Sequence, residues 1–261
     1  MSTEGVWAYA VLESEGSLPR IAGLHGVSGE PVRAVTDAGL TAAVGTVGLD
    51  EFGEEGLRRN LEDLDWLAAT ARAHDAVIAA IARFGPVVPM RMATVYLDDQ
   101  RVSQLLQARH GDFVTALRHV TGRAELGVKA FADPEVLAGQ DESAEQASGA
   151  KMSGTAYLMR RRRALAANDD AFRIAAEHAE RIHSRLLTHA VDGKRKPAPD
   201  RSLSDRKDWT VLNGTYLVDT DHIDAFSALV AAVDRDTPGI ELEITGPWPP
   251  YSFTGDVAAH S

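Results

Sequence analysis

The chain has 261 residues, 44% of them hydrophobic and 25% charged, with a formal net charge of −11 and no cysteine. That length suffices for one large domain or two ordinary ones with a sizeable core. The acidic balance argues against a nucleic-acid partner, and the missing thiols exclude disulfides, thiol catalysis and thiolate metal sites.

The opening MSTEGVWAYAVLESEG has neither the basic flank nor the long apolar core of a signal peptide. No apolar run approaches the roughly 20 residues of a membrane span. A cytoplasmic protein with no membrane partner is therefore expected. VWAYAVLE, residues 6–13, is rich in β-formers and predicts a strand. The turn residues Asp37, Ala38 and Gly39 separate two β-prone runs and predict a hairpin with strands near 32–36 and 40–47. Leu61, Leu64, Leu67, Ala71, His74, Ile78 and Ile81 recur at steps of three and four, which predicts one helix with that face inward. Gly85 and Pro86 stop it. VVPMRMATVY then reads as extended, and residues 98–122 as one amphipathic helix with Val102, Leu105, Leu106, Phe113, Leu117 and Val120 inward.

The second half repeats the alternation. ELGVKAFAD sets Leu126, Val128 and Ala130 against Glu125, Gly127 and Lys129, the period of a strand. Residues 134–154 read as loose, 155–191 as a long helix with Phe172, Ala175, Ala179, Ile182 and Leu186 on one face, and 192–208 as a charged linker. WTVLNGTYLVD is a strand in which Asn213-Gly214 marks either a hairpin or a close approach within one long strand. A short helix capped at Thr220 or Asp221, the strand IELEITG and the segment PWPPYSF follow, with DVAAHS as a frayed tail. The fold class is α+β in two parts, each resembling a split or modified ferredoxin-like unit.

Few residues carry a chemical signature. Gly23, Gly26 and Gly29 fit no phosphate-loop spacing, and Ser28 fits no nucleophile elbow. His178, His183 and His189 wrap around their helix rather than stack as metal ligands. His74 lies on an apolar helix face, where a satisfied core histidine is the commoner case and a general base or switch the rarer. Arg91 in an apolar strand predicts a buried guanidinium with a planar acceptor, Glu125 being one candidate. Pro89 marks a strand edge or bulge. Trp248, Pro250, Tyr251 and Phe253 form either an exposed rigid segment or, preferably, a clasp tucked under the chain's own domains. Lys151, the run Arg160–Arg163 and the group Lys194–Lys196 are local basic spots; the arginine run is mostly solvated and meets either an acidic partner or, preferably, the chain's own carboxylates.

Taken in order, VWAYAVLE, GLTAAVGTV, HDAVIAAIARFGPVVPMRMATVY, ELGVKAFAD, GTAYLMRRR, LNGTYLVD and GPWPPYSF resemble the gas vesicle protein F/L family over nearly the whole chain. These segments do not separate the F from the L subtype. The family's Phe-Gly after the strand arginine is Met92-Ala93 here. The resemblance implies a non-catalytic accessory role in building gas vesicles, with no cofactor and no catalytic residues to carry over. It implies an N-terminal α+β domain (1–122), a ferredoxin-like C-terminal domain (123–246) with a helical subdomain near 155–191, and a tail (247–261) packing back on them. The implied partners are the small hydrophobic shell-forming protein (GvpA) and other accessory proteins of the vesicle. The N-terminal domain, with its hairpin near 32–47, is our expected surface for the shell protein. His74, Pro89, Arg91, Glu125, Lys129, Trp248, Pro250, Tyr251 and Phe253 are the structural or partner-contact candidates. The competing reading is a small-ligand-binding or enzymatic protein with a site near His74 and Arg91.

Overall fold

The computed structural model describes residues 3–139, 154–197 and 209–254, with backbone alone for 138–139 and 154–168. The readings placed on 140–153, on 198–208, on the tail from 255, and on the side chains of Lys151 and Arg160–Arg163 lie outside the described residues. The chain divides into two compact units, Met1–Glu125 with Pro247–Ser261, and Leu126–Gly246.

The first unit is built around β1 (Glu4–Glu13), whose residues from Gly5 to Leu12 are all buried. Such a strand must be covered on both faces. On one face Trp7, Tyr9, Ala10 and Leu12 pack with Ile21 of α1 (Ser17–Ile21), Phe52 of α2 (Leu49–Phe52) and Val77, Ile78 and Ile81 of α4 (Leu64–Ala82). The short helix α3 (Glu54–Asn60) precedes α4. On the other face Val6, Ala8 and Val11 meet Val102 and Leu106 of α5 (Asp99–Ala108) and Phe113 and Leu117 of α6 (His110–Val120). The hairpin lies where its turn signal predicts, as β2 (Arg33–Asp37) and β3 (Leu40–Gly48). The sheet order is β2-β3-β1-β4, with β5 also paired to β1. The β1–β3 register slips between Ala8 and Ala10, so Tyr9 is the extra residue of a bulge.

Three expectations are corrected here. The first long helix starts at Leu64, with the Asp63 carboxylate accepting from the Asp65 and Trp66 amides. Leu61 and Leu64 are exposed, because the inward face of α4 is Thr70, His74, Val77, Ile78 and Ile81. The predicted single helix over 98–122 is two helices, broken at Arg109 where φ is −110° and ψ 18°. The predicted extended run after Pro86 is two short strands, β4 (Val88–Pro89) and β5 (Val95–Tyr96), separated by a turn at Met92-Ala93.

The second unit follows the order β6 (Arg123–Ala132), α7 (Pro134–Gly139), α8 (Gly154–Leu187), β7 (Asp192–Arg195), β8 (Trp209–Asp219), α9 (Ile223–Arg235) and β9 (Ile240–Trp248), with a 3-10 turn at Thr220–His222 before α9. Its antiparallel sheet has the order β7-β8-β6-β9. Leu126, Val128 and Ala130 of β6 pack with Ala175, Ala179, Ile182 and Leu186 of α8 and Phe226 and Val230 of α9. Phe172, predicted inward, is 55% exposed, while Ala171 beside it is buried. Asn213-Gly214 makes no hairpin, since β8 runs straight through it. A Cβ on Gly214 would meet the Tyr216 ring 2.9 Å away, the close approach that the second reading required. Part of the predicted linker, Asp192–Arg195, is strand β7, paired with β8 from Asp192↔Leu217 to Arg195↔Gly214.

Candidate functional site

The segment from Phe84 to Tyr96 closes one edge of the first unit's sheet, and three separate anchors hold it. The first is Arg20 in α1. Its guanidinium donates to the carbonyl oxygens of Ile81 (2.8 Å from Nη2, 3.3 Å from Nε), Gly85 (2.9 Å) and Pro86 (3.4 Å). Ile81 lies in the last turn of α4, and Gly85 and Pro86 follow its end, so the cation ties the helix terminus to the segment after it and complements the negative end of the helix dipole. Burial lowers the Arg20 pKa from its ordinary value.

The second anchor is His74, 1% exposed on α4. Its Nε2–H donates to the Met90 carbonyl at 3.0 Å, and its Nδ1 accepts from the Trp7 indole N–H at 3.0 Å. That pairing requires a neutral ring with the proton on Nε2. Burial pushes the His74 pKa down, against smaller upward pulls from the Met90 carbonyl and Asp75. Both ring nitrogens are engaged, so the imidazole has no lone pair to offer a substrate. The third anchor is the sheet itself. Val88 and Pro89 pair with Val11 and Ala10, the Met90 amide donates to the Tyr9 carbonyl at 2.8 Å, and the Ala8 amide to the Thr94 carbonyl at 3.0 Å. Pro89 lies on the outermost strand β4, and the amide after it makes the bond that proline cannot.

Arg91 departs from its predicted role. It is exposed, and its backbone carbonyl, not its guanidinium, is structural, accepting from the Thr94 hydroxyl at 2.7 Å. The next turn residue but one, Ala93, has φ 65°. The peptide reverses there, which swings Arg91 away from the alternation that an unbroken strand would impose. Nor does Glu125 serve Arg91. Its buried carboxylate accepts from the Ser252 amide at 2.7 Å and the Ser252 hydroxyl at 2.6 Å. Next to Ser252, the Tyr251 hydroxyl donates to Asp75 at 2.5 Å, and Phe253 and Pro250 are buried. Residues 250–254 therefore clasp the first unit through the residue adjacent to His74 and through Glu125. Trp248 stands apart from this clasp, 57% exposed, and Lys129 is exposed on β6.

Sequence reasoning missed a second polar cluster beside the Tyr9 bulge. The Tyr9 hydroxyl donates to Glu30 in a short hydrogen bond and accepts from the Val27 amide at 2.9 Å. The second oxygen of Glu30 accepts from the Ser28 amide and hydroxyl, each at 2.8 Å. Burial and the Glu30 carboxylate both push the Tyr9 phenol pKa up. This cluster explains Gly26 of GLHGVSGEP, whereas Gly23 and Gly29 each hold φ 78°. A Cβ at Gly26 would lie 1.9 Å from the Tyr9 hydroxyl. Arg20 and Trp7 were also missed. The available signal was a lone arginine in SLPRI and a tryptophan in a strand too apolar to face water.

The engaged groups are thus structural. Among the described residues β2 is an outer strand of the first unit's sheet, and Leu18, Leu64, Phe84 and Leu97 of that unit are each more than 60% exposed. Among the described residues no group of three or more acidic or histidine side chains is placed to hold a metal ion. No described helix is long and apolar enough to cross a membrane.

Residues 5–255 match the family described as Gas vesicle synthesis protein GvpL/GvpF. The chain is 42% identical over 257 residues to Gas vesicle protein L of Streptomyces sp. (strain CB03234), covering 98% of this chain and 95% of that protein. It is 29% identical to Gas vesicle protein F of the same strain, over 92% of this chain and 94% of that one. In fold it is similar to the crystal structure of GvpF from Anabaena sp. PCC7120, with a TM-score of 0.68 at 17% identity over 99% of this chain and 97% of that one. The chain belongs to the GvpL/GvpF family of gas vesicle synthesis proteins.

Proposed function

We propose that this protein is a non-catalytic accessory factor of gas vesicle formation that holds the small hydrophobic shell-forming protein before or during its assembly, through its first unit. The observation that carries the reading is β2, an outer strand of a sheet whose two faces are already covered, in a chain that matches a vesicle-synthesis family from end to end. A strand edge offers backbone donors and acceptors to an extended apolar segment, and exposed apolar side chains on the same unit add area without specific chemistry. An apolar shell subunit in water is prone to aggregate, and a partner with net charge −11 keeps the complex dispersed.

The second unit, with its β-α-α-β-β-α-β order and first strand between third and fourth, supports a modified ferredoxin-like reading in which α7 is an added helix. We assign it contacts with other accessory proteins of the vesicle. The working location is the cytoplasm, at the forming vesicle, and the higher identity to the L protein than to the F protein favours the L subtype. An enzymatic site at His74 and Arg91 is disfavoured. The imidazole is buried and engaged at both nitrogens, and the guanidinium is exposed on a turn.

The test is co-purification with the shell protein. Residues 126–246 are replaced by a short Gly/Ser linker, with circular dichroism as the check that the first unit is folded. The first unit should capture the shell protein as the full chain does. Capture by the full chain and by residues 126–246, but not by the folded first unit, would overturn the assignment.

A further inference from the structure

The second unit carries an open cleft of about 300 Å³ between α8 and the end of α9, lined by His178, Arg181, Ile182, Arg185, Val233 and Asp236, with Thr237 at its rim. The four α8 residues fall at spacings of three and four, so they form one stripe of the helix. Within that stripe the charges are poorly compensated. Arg185 has one carboxylate, Asp236, at 3.9 Å. Arg181 has no carboxylate within salt-bridge distance among the described residues. Its Nη2 instead donates to the neutral Nδ1 of His178 at 3.1 Å. With Nδ1 accepting, the proton of the neutral ring sits on Nε2, so His178 also offers a donor. Burial, then the neighbouring Arg181, pushes the His178 pKa down, against a smaller upward pull from Glu177. Ile182 and Val233 are buried apolar side chains at the floor.

From this arrangement we infer that the cleft is a binding site for a small aliphatic dicarboxylate, a function separate from the capture of the shell protein. Two guanidinium forks and an imidazole N–H supply donors of the kind that carboxylates accept in pairs. Four residues of helix rise, about 6 Å, separate Arg181 from Arg185. A four-carbon dicarboxylate spans a similar distance and lays its methylenes on Ile182 and Val233. Asp236 faces the same cleft and gives up its long contact to Arg185 when the ligand arrives. Two arginines against the single carboxylate of Asp236 leave the lining with a net positive charge, a local exception in a chain of net charge −11.

The experiment is a titration of the full chain with succinate, followed by the imidazole C–H signals of His178 in NMR. Sodium chloride at matched ionic strength is the first control and inorganic phosphate the second. Succinate should shift the His178 signals saturably and raise the apparent pKa of that ring, because bound anions favour the imidazolium. Phosphate, with no apolar body, should bind more weakly, and chloride should give no saturable shift. Arg181→Gln and Arg185→Gln should each weaken succinate by roughly tenfold, as charge-assisted bonds are lost. Arg173→Gln, at an exposed residue already paired with Asp170 and Glu177, should leave it unchanged. The inference fails if chloride reproduces the succinate response, or if removing both cleft arginines leaves the His178 shift intact. Both readouts are internal to the second unit and stay the same whether or not the first unit captures the shell protein.

Discussion

Replacing Arg20 by alanine tests the description of the first unit most sharply, because one side chain ties α1 to the end of α4 and to the segment after it. The four contacts are unequal. Those at 2.8 Å and 2.9 Å to Ile81 and Gly85 are well within hydrogen-bond range, and those at 3.3 Å and 3.4 Å add little. A hydrogen bond from a charged donor contributes about 1.5–3 kcal/mol, and the half-buried guanidinium gives back part of that as desolvation. The Ile81 carbonyl keeps a long bond from the Phe84 amide at 3.3 Å, so it is not fully orphaned. The expected loss for Arg20→Ala is about 2–4 kcal/mol, a large fraction of the usual 5–15 kcal/mol of a folded domain. Arg20→Lys keeps the charge but not the fork, and should lose about half as much. Urea unfolding followed by tryptophan fluorescence measures both. If Arg20→Ala unfolds within about 0.5 kcal/mol of the unmodified chain, Arg20 does not anchor the segment and the reasoning is wrong.

Arg91→Ala should change stability by less than about 0.5 kcal/mol, since the side chain is exposed and only its backbone carbonyl is used; a loss comparable to that of Arg20→Ala would restore the buried-anchor reading. His74 makes the first unit acid-sensitive. Its pKa in the folded state lies below the unfolded value of 6.5, so the unfolded chain binds the proton first and stability falls as pH drops through 6.5 toward the folded pKa. The slope contributed by this group is at most about 1.4 kcal/mol per pH unit, and it should vanish from unfolding curves of His74→Gln between pH 7.5 and 5.5. His178 and His183 add slopes of the same sign in the second unit, both pushed down chiefly by burial. Ala93→Gly and Ala38→Asn should each raise stability by about 0.5–1 kcal/mol, because Ala93 and Ala38 hold φ of 65° and 48° where glycine or asparagine fit better; thermal unfolding reads the gain, and a loss at either position would show that the alanine methyl packs favourably.

Local chemistry was legible in the sequence wherever one residue type decided the backbone. The Asp37-Ala38-Gly39 signal located the hairpin, and Gly85-Pro86 located the end of α4. The exposed Leu61 and Leu64 show the limit of periodicity. They continue the apolar spacing of α4, but the covering layer is supplied by β1 and begins only at Thr70, and spacing alone carries no information on where the opposing surface ends. Arg91 failed for a related reason. A strand pattern assumes unbroken alternation, and the left-handed Ala93 breaks it. The buried pairs Trp7–His74 and Glu125–Ser252 join residues 67 and 127 positions apart, beyond the reach of any local pattern. His74 as a satisfied core histidine was the commoner of the two sequence readings, and the structure supplies both of its partners.

We propose that the first unit receives the shell protein along its sheet edge. Amide hydrogen exchange of the full chain, with and without the shell protein, tests it most directly. New protection is expected along β2, residues 33–37, with little change in β7 and β9, the outer strands of the other sheet. Protection confined to residues 126–246, with β2 exchanging as fast as in the free protein, would contradict it.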